Sequence, residues 1–152
     1  MKKNLLLLLC LSIFFTSSCK KDDTTNTPTK SVEELLTAET WKVDELRLNN
    51  GDNPTQYYYK RGGLANTDNR DSDSLKFNTD KTGLYYYQGV QYTTNWEFTN
   101  SDKSRLTLIV NYTVPETVYW ENINVSDDYL RYAQYSLSTS KNYVATVTRI
   151  PN

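Results

Sequence analysis

The chain has 152 residues, a formal charge of -1 and no histidine, and it carries 13 tyrosines against 4 phenylalanines. That length suits one domain, and the near-neutral balance leaves no electrostatic footprint for nucleic acid. Without histidine there is no Ser-His-Asp or Cys-His arrangement and the commonest metal ligand is missing, while the few isolated glycines form no P-loop or dinucleotide fingerprint.

The first element in chain order is a leader. Lys2 and Lys3 precede an apolar run from Leu5 to Phe15, and Thr16, Ser17 and Ser18 lead from it to Cys19. This is the order of a secretory signal. As a helix the run is too short for a bilayer core of about 30 Å, so a permanent membrane span is not expected. Phe15-Thr16-Ser17-Ser18-Cys19 resembles the lipobox of bacterial lipoproteins, with Thr16 where that family usually has leucine. The resemblance implies a signal peptide over residues 1–18 and fatty acylation, palmitate included, of Cys19 as the first mature residue. Lys20-Lys21-Asp22-Asp23 looks like the export tag that some Gram-negative bacteria place directly after the lipid cysteine. It implies a lipid-anchored protein of the outer membrane, exposed at the cell surface. Residues 19–30 hold no apolar anchor after the cysteine and read as a flexible tether. Cys10 departs with the leader and Cys19 carries lipid, so no thiol is left for a disulfide or a metal.

Residues 31–152 form the expected domain. Ser31-Val32-Glu33-Glu34 is a capping box, and Val32, Leu35 and Leu36 mark one face of a short helix ending near Glu39. The period then changes to two, starting with a strand over Thr40–Leu48. Its phase slips at Asp44-Glu45, and a bulge there would return Leu46 and Leu48 to the face of Trp41 and Val43. Further strands are predicted at Ser74–Asn78, Gly83–Gln88, Gln91–Thr99, Arg105–Thr113, Thr117–Val125, Tyr129–Leu137 and Asn142–Ile150, separated by polar turns. The polar stretch from Asn49 to Arg70, containing "QYYYKRGG", reads as a long loop. Eight antiparallel strands at this spacing permit a closed up-and-down barrel or a sandwich. Closure is favoured because no strand carries the charges that protect an edge.

The opening "LLTAETWKVDEL" and the later order "SLKFNTDKTG", "TNWEF", "RLTLIV" and "YVATVTRI" resemble lipocalin-like lipoproteins, although Glu39 stands where the lipocalin hallmark has glycine. The resemblance implies an all-β, eight-stranded antiparallel up-and-down barrel preceded by one short N-terminal helix.

Two functional classes remain open at this point. In the first, the barrel holds a small apolar or aromatic ligand, with Trp41, Tyr86, Trp96, Leu108, Tyr112, Trp120 and Tyr132 as lining residues. Such barrels either fill with side chains or hold one small molecule. In the second, the barrel is filled and tyrosines, chiefly Tyr57, Tyr58 and Tyr59, make a surface contact with a glycan or a protein of an outer-membrane complex. A monomer is expected, with the membrane as its partner through the lipid. Glu97 and Glu121 could serve as a glycosidase pair, but each alternates with a neighbouring tryptophan and should point to water, so no enzyme activity is expected. Asp68, Asp71 and Asp73 with Asn66 and Asn69 lack the spacing of a calcium loop and read as a solvated loop. No cofactor or metal site is expected.

Overall fold

A computed structural model describes the protein at residues 29–50, 56–136 and 143–152. The leader, Cys19 and the tether up to residue 28 lie outside the described residues. The helix α1 (Val32–Ala38) starts at the capping box: Glu34 N donates to Ser31 Oγ at 3.2 Å and Ser31 N donates to Glu34 Oε2 at 2.7 Å.

Among the described residues nine strands follow: β1 (Thr40–Asn50), β2 (Gln56–Lys60), β3 (Ser74–Phe77), β4 (Thr82–Tyr87), β5 (Val90–Phe98), β6 (Leu106–Val110), β7 (Glu116–Val125), β8 (Leu130–Ser136) and β9 (Tyr143–Pro151). From β3 to β9 each pairs antiparallel with the next, and β1 pairs with both β3 and β9. Eight strands therefore close into a barrel, which overturns the sandwich alternative.

The ninth strand corrects the expected loop. β3 pairs only with Thr40–Lys42 of β1, and β2 takes the same side of β1 farther along, from Glu45 to Leu48. Backbone donors and acceptors left by the short β3 would otherwise go unpaired. Three consecutive tyrosines followed by Lys60 and Arg61 hid the alternation.

The phase slip in β1 is a bulge. Val43 faces Arg149 and Glu45 faces Thr148, so Asp44 is the extra residue. Trp41 and Val43 are buried, and Leu46 and Leu48 pack against the same core. A second bulge was not anticipated. β7 shifts against β8 between Glu121 and Asn124, with Asn122 at φ +55°. It returns Ile123 and Val125 to the core side after Trp120.

The helix closes one end of the barrel. Leu36 is fully buried, and Trp41 Nε1 donates to Leu36 O at 2.9 Å. Lys81 and Lys103, from two turns at that end, both meet Glu33, and Lys76 Nζ donates to Thr37 O at 2.9 Å. Inside, Phe77 meets the edges of Trp96 and Trp120, with ring centroids 5.4 and 5.7 Å apart. Trp120 stacks on Tyr132, their centroids 3.5 Å apart. These rings fill the helix end.

Gly83 is needed where β4 crosses β5 and β3. A Cβ there would stand 2.4 Å from Lys76 O and 2.5 Å from Thr94 Oγ1. The first is backbone held in a ladder, so it cannot move aside cheaply. Gly83→Ala should destabilise the barrel by about 1–3 kcal/mol through overpacking, read as a lower urea midpoint with an unchanged slope. A midpoint equal to the parent's would mean that the strands separate more freely than this contact allows.

Candidate functional site

The end away from α1 is not filled by the described side chains. There the described inward residues of β1 and β9 include Leu46, Leu48, Ala145 and Val147, and they border a cavity of about 240 Å³ that is partly open to solvent. Val43, Tyr58, Tyr85, Tyr132 and Gln134 complete its sides, and Arg70, Asp73 and Arg149 add charge. A smaller space of about 70 Å³ lies beside it against Leu108, Val110, Tyr112, Glu116 and Trp120. Tyr85, Gln134 and Arg149 border both.

The two arginines differ. Arg70 comes from the segment between β2 and β3 and is ion-paired: Nη2 lies 2.8 Å from Asp68 Oδ2 and Nη1 lies 3.1 Å from Asp73 Oδ2. Its guanidinium also rests over the Tyr87 ring, 4.6 Å from the centroid. Asp73 is completely buried and accepts from Gln88 N at 3.0 Å with its other oxygen. Arg149, on β9, is 4% exposed. Its Nε donates to Tyr132 Oη at 2.8 Å and its Nη1 to Trp41 O at 3.2 Å. Among the described residues it makes no ion pair with a carboxylate within 4.0 Å.

The acceptor facing Arg149 is a neutral phenol. Burial pushes the Tyr132 hydroxyl up, although the Arg149 charge pulls the other way, and burial raises Tyr85 too. Tyr112 is pushed up to about 12, first by burial and then by Glu116. At neutral pH Tyr85, Tyr112 and Tyr132 keep their protons and do not cancel the charge of Arg149.

The expected lining residues divide. Tyr132 borders the larger cavity, and Leu108, Tyr112 and Trp120 border the smaller. Trp41 and Trp96 are buried in the filled half. Tyr86 is corrected: it is 36% exposed on the outer face, and its neighbour Tyr85 faces the cavity. The strand phase decides this, since Gly83 and Tyr85 share the inward side of β4. The tyrosine platform is corrected as well. Tyr59 is fully buried, with Oη donating to Asp71 Oδ1 at 2.6 Å. Tyr58, at a register shift between β1 and β2, lines the cavity. The side chain of Tyr57 lies outside the described residues.

Glu97 and Glu121 point away from the interior, opposite to Trp96 and Trp120, and Glu121 lies 3.7 Å from Arg105. In the acidic loop Asp68 and Asp73 meet Arg70, Asp71 meets Tyr59, and Asn66 Oδ1 accepts from Lys60 N at 2.8 Å. Sequence reasoning missed Arg149 and Arg70. For Arg149 a signal existed: in "YVATVTRI" the inward series Ala145, Val147, Arg149 ends on a charge.

The chain matches no family model, no curated protein and no solved structure.

Burial first, and then the bond to Asp71, push Tyr59 from 10.0 up to about 12. A phenol whose pKa is raised by folding contributes stability that is intact below its unfolded pKa and lost as pH rises toward the folded one. Stability should therefore fall between about pH 10 and about pH 12, and Tyr59→Phe should make that fall shallower. Urea unfolding across this range checks it. Equal slopes for parent and variant would remove Tyr59 from the account.

Proposed function

We propose that this chain is a lipid-anchored cell-envelope protein that holds a small apolar or aromatic molecule in the unfilled end of its barrel. The observation that carries the proposal is the cavity of about 240 Å³ set among Val43, Leu46, Leu48, Ala145 and Val147. An apolar cavity of roughly 150 Å³ already holds benzene, so a single ring with a substituent, or a short acyl chain, fits here. The smaller space is of a size for about two waters at roughly 30 Å³ each. The arrangement suits binding rather than turnover: Asp73, the carboxylate at the larger cavity, is engaged by Arg70 and by Gln88 N, and Glu97 and Glu121 face outward.

The envelope location rests on the sequence around Cys19. Each acyl methylene buried in a bilayer is worth about 0.8 kcal/mol, so several chains on one cysteine hold a protein firmly. The lipocalin-like order of motifs supports the same reading, because a barrel of eight strands is wide enough for one small ligand. Burial of Tyr59 and the turn of Tyr58 toward the cavity weaken the surface-contact alternative.

Two experiments test the two halves separately. Ala145→Phe places a ring in the cavity, and it should weaken calorimetric binding of a neutral aromatic such as indole by about tenfold or more, equivalent to about 1.4 kcal/mol, with the thermal midpoint preserved. Undiminished binding would move the ligand elsewhere. Cys19→Ser should abolish metabolic labelling by a palmitate analogue and release the protein from the membrane fraction. A labelled or membrane-bound variant would refute the anchor.

A further inference from the structure

Arg149 gives the proposed ligand a charge. A guanidinium has more N–H donors than the two acceptors it meets here, Tyr132 Oη and Trp41 O, and it cannot shed its proton inside a protein. Burying a cation is costly unless a counter-charge or a full set of hydrogen bonds accompanies it. Nη2 makes no hydrogen bond among the described residues, and the side chain stands on the wall between the two cavities. The other charged groups on these walls are committed or remote. The charge of Arg70 is balanced by Asp68 and by Asp73, whose second oxygen takes Gln88 N, while its buried Nε has no hydrogen-bond partner among the described residues. Glu116 borders only the smaller cavity and lies at no ion-pair distance from Arg149. Tyr132 and Tyr85 are neutral phenols.

We infer that the barrel takes a small amphipathic monoanion, a carboxylate on a ring or short chain, with its carboxylate on Arg149 and its apolar part among Leu46, Leu48, Ala145 and Val147. The inference rests on the ligand-binding reading above and specifies its chemistry. A carboxylate is favoured over a more highly charged head group for two reasons. One guanidinium with one open edge matches a planar monoanion through paired N–H···O bonds. The walls mix apolar side chains with polar ones, and among the described residues the second cation there, Arg70, already pairs with Asp68 and Asp73.

The test compares isosteric probes on the full chain by calorimetry: benzoate against benzamide, and hexanoate against hexanol. The expected result is carboxylate binding at least about tenfold tighter than its neutral partner. Arg149→Gln should erase that preference, and Arg149→Lys should retain part of it. Equal binding of carboxylate and neutral partner would overturn the anion inference while leaving the cavity reading intact. Binding of neither would overturn both. Should Arg149→Gln fail to fold, the parent protein still decides: with carbon-13-labelled benzoate the carboxyl resonance should shift on binding and show contacts to the Arg149 side chain. Contacts confined to other residues would refute the assignment.

Discussion

β1 is hydrogen-bonded to β9 along its course from Trp41 to Asn50, and on its other side to β3 and then to β2. The strand that would begin an open sheet therefore has no long free edge, and closure makes an interior out of one sheet face. The bulge at Asp44 is what lets one strand serve that interior throughout. Without the extra residue Leu46 and Leu48 would face water, and the apolar wall of the cavity would be missing on that side.

The two halves of the interior then differ because their side chains differ in size. At the helix end Trp41, Phe77, Trp96, Trp120 and Leu130 are all buried and interlocked, and α1 adds Leu36 as a plug. At the other end the described apolar side chains that β1 and β9 turn inward are Leu46, Leu48, Ala145 and Val147. A closed sheet cannot collapse to remove the space that small residues leave, because its circumference is set by strand number and tilt. The space at that end thus follows from the small apolar side chains that β1 and β9 turn toward it.

Much of this architecture was legible, and for physical reasons. The capping box, the change of period at Thr40 and the phase slip at Asp44-Glu45 are local signals of geometry, and each corresponds to an observed feature. What escaped depended on nonlocal partners. β2 exists because β3 is short, which no residue of "QYYYKRGG" announces. The bulge at Asn122 left the same trace as the first one, a spacing of three between the inward residues Trp120 and Ile123. Tyr85 rather than Tyr86 faces inward, and in a run of three tyrosines that phase comes from Gly83, which has no side chain to reveal it. The cavity's polar groups were the least legible, since Arg149 looks like an ordinary strand terminus until closure and β8 enclose it.

The tyrosine excess gains a physical meaning from these placements. A ring that must line a wall and also meet a charge needs an apolar body and one polar tip, which phenylalanine lacks. Tyr132 stacks its ring on Trp120 and presents its oxygen to Arg149, while Tyr59 fills space beside β1 and donates to Asp71. Phenols accept hydrogen bonds from a buried guanidinium without neutralising it, as a carboxylate would. The phenol of Tyr132 holds Arg149 in place, with the Tyr85 ring centroid 6.0 Å from its guanidinium, and leaves Nη2 open to an interaction that a bound molecule could complete.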